Sequence, residues 1–237
     1  MRVLAIGAHP DDIEINCGGT LLRYREEGHE IFLALMTSGN IGSNLLPDRE
    51  TIARTREAEQ LAAARFYEAQ VRFLRYDDES LVDCPQARRD LLNAMRWADP
   101  DVIFTHFPGD LSTDHNVTGS LAGRVILCLP GKNVPADEPP IRKRPSLFYW
   151  DTPAGLAFEP EVYVDVTRTF EKKLEAVACH QSQIAWLSVF HHHVLPARCR
   201  IQNSFRGLQN GVEYAEGFRA CRLHGYMPDF SVLPSHQ

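Results

Sequence analysis

The run Ala8-His9-Pro10-Asp11-Asp12-Ile13-Glu14 constrains this chain more than any other stretch. It follows a short apolar segment, Val3-Leu4-Ala5-Ile6-Gly7, that reads as a buried β-strand. Such a strand delivers its last residues to the carboxyl edge of a sheet, where open α/β sheets bind ligands. His9 and Asp12 are three apart, so one turn can aim both at a single point. Imidazole nitrogen with carboxylate oxygen suits zinc or a similar divalent metal. Asp11 then stands beside the metal, where a general base belongs. The same run also suits a plain turn with an aspartate capping a helix. Two features favour the site reading: His9 sits at the strand end, and Asp114-His115 occupies a later strand-to-helix junction. His115 supplies a third ligand. Two nitrogens and one carboxylate suit Zn2+ and would also suit Fe2+.

The remaining chain alternates strand and helix signals. Arg2 to Ala8 and Ile31 to Met36 read as strands around a helix that follows Gly18-Gly19 and ends at Gly28. That spacing favours parallel pairing through a right-handed crossover. Asp48 to Tyr67 reads as a long helix, with Arg56 and Glu59 sharing a face either as a surface ion pair or as part of a site. Val71 to Tyr76 reads as a strand whose exit carries Asp77-Asp78-Glu79, an acidic turn or a site element. Ala87 to Ala98 reads as a helix and Val102 to His106 as a strand, with His106 at its tip. His115 opens a helix running through Leu129. Five of the fifteen prolines fall within 130–145, which makes that stretch a loop, with a lid or an oligomer contact both open. Further strands are expected at 147–150 and 162–166, and a helix from about Thr167 to Gln181. The fold expected is α/β: a Rossmann-like, mostly parallel sheet flanked by helices, a single domain over 1–237 with a C-terminal elaboration over 160–237.

Composition excludes several functions. The net charge of −6 argues against a sequence-independent nucleic-acid binder. No apolar run is long enough for a membrane span, and the first is too short for a signal peptide, so the expected location is cytoplasmic. The six cysteines form no Cys-x-x-Cys pair, so they are expected to be reduced and mostly buried, with Cys17 a wall residue of the site. His191-His192-His193 is expected at the surface or a subunit contact, since consecutive residues point in different directions.

The opening run, with Cys17-Gly18-Gly19-Thr20-Leu21, resembles that of the LmbE-like or PIG-L-like zinc-dependent de-N-acetylases. Arg56-x-x-Glu59, Tyr76-Asp77-Asp78, Asp114-His115, Val164-Asp165-Val166-Thr167, His180-x-Ser182-Gln183 and Tyr214-Ala215-Glu216-x-Phe218 follow in that family's order. The resemblance implies zinc on His9, Asp12 and His115, Asp11 as catalytic base, and Arg56 and Asp78 as substrate-binding residues, with His106 a further candidate at the substrate. It implies an N-acetylglucosamine-type amino-sugar conjugate as substrate, acetate and a free amine as products, and a trimeric or hexameric homo-oligomer. An amidase acting on a larger thiol or antibiotic conjugate and a non-catalytic sugar-binding module are the alternatives. Arg206-Gly207 and Tyr214 to Phe218 are placed near the pocket mouth. One departure stands out: many members carry a histidine three residues before the metal-binding one, and this chain has Ser112 there. His106, His180 or a residue of the 191–193 run are the candidates to replace it.

Overall fold

A computed structural model describes residues 1–189 and 195–234. Strands β1 (Arg2–Gly7), β2 (Glu30–Thr37), β3 (Gln70–Tyr76), β4 (Val102–Thr105), β5 (Ser146–Trp150), β6 (Val162–Asp165) and β7 (Ala215–Ala220) form one sheet in the order β3-β2-β1-β4-β5-β7-β6. The first five are parallel, while β7 pairs antiparallel with both β5 and β6. Helices α1 (Asp12–Glu26), α2 (Arg49–Ala64), α3 (Pro85–Ala98), α4 (Thr113–Val125), α5 (Phe170–Val177), α6 (Gln181–Leu187) and α7 (Leu195–Asn210) complete the described elements. The expected α/β class with a mostly parallel sheet is therefore what the chain adopts, and β6 and β7 extend that same sheet.

Alternation along β1 divides the core. Leu4 and Ile6 pack with Leu91, Met95 and Leu121 of α3 and α4, whereas Val3 and Ala5 pack with Ile13, Cys17 and Leu21 of α1. Both faces are covered, which is why the central strands read as unbroken apolar runs. Strand order reverses between β1 and β4, since β1 leads outward to β2 and β3 before the chain returns to β4. The crevice outside that switch point receives the loops after β1 and β4.

Three expectations change here. Gly18-Gly19 lies inside α1 and does not precede it. A Cβ at Gly19 would stand 2.7 Å from Val166 Cβ, and one at Gly18 would stand 2.8 Å from the Tyr67 hydroxyl. The pair thus admits neighbouring chain segments against a helix. Glu216 of β7 uses this approach: its carboxylate accepts from the Gly19 and Thr20 N–H groups at 2.9 and 2.8 Å and from Lys173 Nζ at 2.7 Å. Second, the helix expected over 167–181 breaks at Ala178 to His180, and α6 starts anew beyond it. Third, Cys17 is a core residue, not a wall of the site; burial pushes its thiol pKa well up, and all six cysteines are free.

The Pro-rich loop lies at the amino edge, where it enters β5, away from the crevice. Arg96 of α3 pins it by donating to the carbonyls of Cys128, Leu129, Gly131 and Glu138. That position removes the lid reading. No helix among the described residues is long and apolar enough to cross a membrane.

Lys173 and Glu216 are both fully enclosed. Lys173→Met leaves a buried carboxylate without its cation, and urea denaturation is expected to show a loss of about 3–5 kcal/mol. A loss below about 1 kcal/mol would mean that the backbone N–H donors alone suffice for Glu216.

Candidate metal centre at the carboxyl edge

The exit of β1 turns sharply. Asp11 adopts φ 114°, ψ −26°, a conformation that an L-residue rarely takes. It stands at the N-cap position of α1, but its side chain makes no capping hydrogen bond. The plain-cap reading of this run therefore fails. Its carboxylate instead lies 3.6 Å from Arg56 Nη2. Asp12, the first residue of the helix, accepts the His9 backbone N–H at 2.6 Å.

Asp12 Oδ2 lies 3.4 Å from His9 Nδ1, and Asp12 Oδ1 lies 3.3 Å from His115 Nε2. One ligand atom from each of His9, Asp12 and His115 can be chosen so that all lie within 4.8 Å of one another. Each of the three has a buried residue behind it. His115 Nδ1 meets Asp110 Oδ2 at 3.1 Å, leaving Nε2 to face Asp12. His9 Nε2 meets Asp114 Oδ2 at 3.2 Å and Asp78 Oδ1 at 3.0 Å, leaving Nδ1 to face Asp12. Asp114 is itself held by the Glu79 and Leu81 N–H groups. Asp12 Oδ2 is buttressed by His106 Nε2 at 3.1 Å. A carboxylate behind each imidazole is the arrangement that fixes ring orientation in metal sites.

Electrostatics agree with a cation-seeking cluster. Burial opposes protonation of His9, yet hydrogen bonds to Asp114, Asp12 and Asp78 outweigh it and hold its pKa well above the ordinary value. Burial likewise opposes protonation of His115, but the Asp12 charge and the Asp110 hydrogen bond raise it to about 9. Asp12 is driven well below the carboxylate range by His115 and His106 despite its burial. Asp11 moves the other way: burial raises its pKa, only partly offset by Arg56. Four carboxylates crowd two imidazoles, so the donor set is of the kind that takes a divalent cation.

Two expected substrate contacts, His106 and Arg56, are buried. His106 is 1% exposed, and both ring nitrogens are engaged: Nε2 donates to the Asp12 carboxylate at 3.1 Å and Nδ1 accepts from Trp150 Nε1 at 3.3 Å. An imidazolium would point an N–H at the Trp150 donor, so the ring is neutral; burial and the nearby His115 charge lower its pKa to about 4. It sits behind Asp12. Arg56 is 3% exposed and donates to Gly39 O and Pro10 O, with Asp78 Oδ2 at 3.8 Å. It braces the carboxylates from below. Glu59 does not share its contacts but accepts from Ser182. Asp78 is in the cluster through His9. Ser112 is the N-cap of α4. His180 is buried against Glu14, and 191–193 lie outside the described residues. Arg206 is bound to Asp151 at 2.7 Å, which seats the start of this tail motif inside the protein. Asp110, Asp114, Gln60 and Trp150 escaped the sequence reading; only Asp114, adjacent to His115, carried a signal.

A mostly parallel sheet with two histidines and an aspartate that could hold a metal at its switch point is an arrangement of the α/β class. Comparison with known proteins narrows it. Residues 4–126 match the family described as GlcNAc-PI de-N-acetylase, PIG-L, and the chain belongs to that family. It is 26% identical over 231 residues to diacetylchitobiose deacetylase of Thermococcus kodakarensis, covering 92% of this chain and 82% of that protein. The structure of N,N'-diacetylchitobiose deacetylase from Pyrococcus horikoshii superposes with a TM-score of 0.80 at 26% identity, over 98% of this chain and 88% of that one. GalB, the 4-carboxy-2-hydroxymuconate hydratase of Pseudomonas putida, superposes with a TM-score of 0.81 at 20% identity, over 94% and 97%, and shares the fold.

Gly39 has φ +60°, and a Cβ there would stand 2.6 Å from Arg56 Cζ. Gly39→Ala is expected to lower stability by about 1–3 kcal/mol in thermal denaturation, because strained backbone and overpacking act together. An unchanged midpoint would show that Arg56 can leave its place freely.

Proposed function

We propose that this chain is a metal-dependent hydrolase that removes the N-acetyl group from an N-acetylglucosamine-type amino-sugar conjugate, releasing acetate and a free amine. His9, Asp12 and His115 are the residues that would hold the metal, with zinc the first choice and Fe2+ compatible with the same donors. When bound, the metal supplies a Lewis acid that polarises the acyl carbonyl and eases ionisation of water. The observation that carries the reading is Asp11: a carboxylate beside three converging donors and not used as a helix cap.

Asp11 acts as the proton carrier. It accepts a proton from the attacking water, then returns it to the departing nitrogen, so that amide and water become acetate and amine. A pKa raised by burial suits both halves of that task. Asp110 and Asp114 orient His115 and His9, and His106 holds Asp12. Arg56 restrains Asp11 and Asp78, and Asp78, at the exit of β3, is assigned to a sugar hydroxyl. Membership of a de-N-acetylase family and similarity to diacetylchitobiose deacetylases support the substrate class.

Acetate release is the direct test. The zinc-loaded protein is expected to liberate acetate and amine in equal amounts from N-acetylglucosamine conjugates, N,N'-diacetylchitobiose among them. Chelation should abolish turnover and zinc should restore it. Asp11→Asn is expected to lower kcat by roughly 10²–10⁴-fold while zinc stays bound. No acetate from any N-acetyl sugar, with hydration of a 4-carboxy-2-hydroxymuconate instead, would replace this reading with a hydratase.

Metal affinity gives a second check, by competition with a zinc indicator. His9→Ala and His115→Ala should each abolish stoichiometric binding. Asp110→Asn should weaken it by about 10–100-fold. Full binding by His115→Ala would remove that residue from the ligand set.

A further inference from the structure

Beneath Asp11 lies a chain of buried polar groups that the proposed chemistry does not use. Glu14 and His180 are fully enclosed, as is Gln60 of α2. The Asp11 backbone N–H donates to Gln60 Oε1 at 3.2 Å. Gln60 Nε2 donates to Glu14 Oε1 at 2.8 Å. His180 Nε2 meets Glu14 Oε2 at 3.1 Å. His180 Nδ1 has no hydrogen-bond partner among the described residues, so the ring is tied through Nε2.

The order of donors is dictated by chemistry. The carboxylate oxygen of Glu14 accepts from the Gln60 amide NH2. Glu14 therefore obliges Gln60 to present its amide NH2 on one side and its carbonyl on the other. The carbonyl then meets the Asp11 N–H, the group that must point inward when Asp11 holds φ 114°. A residue persists in so sparsely populated a conformation only where its surroundings over-determine it. Three elements contribute here: α1 through Glu14, α2 through Gln60, and the break between α5 and α6 through His180. That break is where the chain leaves helical geometry, with His180 at φ −83°, ψ 58°, and it lets the imidazole reach Glu14.

We infer that Glu14, Gln60 and His180 are positioning residues for Asp11: their hydrogen-bonded chain holds its backbone at positive φ and so directs its carboxylate away from the cap position and toward the reacting centre. The inference rests on the reading of Asp11 as the proton carrier. Gln60 reaches Asp11 through the one N–H it accepts, and the charge of His180 also acts on Asp11 directly.

Three proteins decide it: wild type, Gln60→Leu, and the reciprocal double variant Glu14→Gln/Gln60→Glu. Gln60→Leu removes the acceptor for the Asp11 N–H. In the double variant the amide at position 14 donates to the carboxylate at position 60, which still accepts from Asp11. The carbonyl at position 14 still accepts from His180, so every hydrogen bond is kept with one donor reversed. Each protein is loaded with zinc, its metal content measured, its crystal structure determined, and kcat and KM obtained on N,N'-diacetylchitobiose or whichever N-acetyl sugar the wild type turns over.

In Gln60→Leu, Asp11 is expected to relax to negative φ and kcat to fall roughly 10–100-fold, with KM and zinc content unchanged. The double variant should restore both the φ and most of kcat. A role in stability alone would lower the melting temperature without this split between kcat and KM. Asp11 remaining near 114° in Gln60→Leu, or relaxing with kcat within about twofold of wild type, overturns the inference. If Gln60→Leu does not fold, Gln60→Ala takes its place, since it too leaves the Asp11 N–H without an acceptor. A wild type that releases no acetate from any N-acetyl sugar fails the functional reading, and the φ of Asp11 in the variants still decides the positioning role by itself.

Discussion

Everything at the carboxyl edge depends on gathering negative charge where little water can reach it. Asp11, Asp12, Asp78, Asp110 and Asp114 surround two imidazoles, and all five are buried. Isolated carboxylates in such a place would protonate. Here the imidazoles, with Arg56 beside Asp78, hold Asp12, Asp78 and Asp110 below the usual carboxylate range, which leaves a compact pocket of negative potential beside imidazole nitrogens. A divalent cation is the natural complement of that field. The fold supplies the place: β1 and β4 diverge in connectivity, and the gap between their exits accepts both loops.

The two adjacent aspartates illustrate how environment divides identical side chains. Asp12 faces His106 and His115 and is held far below the usual range. Asp11, held at an unusual backbone angle, is enclosed with a guanidinium nearby and moves upward. One is suited to ligation and the other to carrying a proton, by the same logic that separates acid from base in other two-carboxylate sites. The backbone turn at position 11 is thus as much part of the site as the side chains.

Away from the crevice, the C-terminal third serves as support. β7 runs antiparallel between β5 and β6, and Glu216 on it binds mid-helix N–H groups of α1. Lys173 neutralises that carboxylate from α5. Helix α1, which starts at the site, is therefore fixed along its length by residues about two hundred positions later. The break after α5 lets His180 reach the base of the same helix.

Much of this was legible before folding. Apolar strand periodicity, Pro-Asp-Asp after the first strand and Asp114-His115 after a later one sufficed for the sheet class, His9, Asp12 and His115 as a set, and Asp11 beside them, because local pattern and short spacing decide which residues share a strand exit. Burial was not legible: Arg56 and His106 look like ligand contacts in sequence, and only packing shows Arg56 donating to the Gly39 and Pro10 carbonyls and His106 enclosed between Asp12 and Trp150. Nor was the role of Gly18-Gly19, since a glycine pair signals a turn as readily as a close approach inside a helix. Asp110, Gln60, Glu14 and His180 became part of the site only through contacts spanning up to 166 positions. Sequence alone determined which chemistry the chain can carry; tertiary structure decided which groups hold that chemistry in place, because hydrogen-bond partners far apart in the chain are chosen by packing and not by spacing.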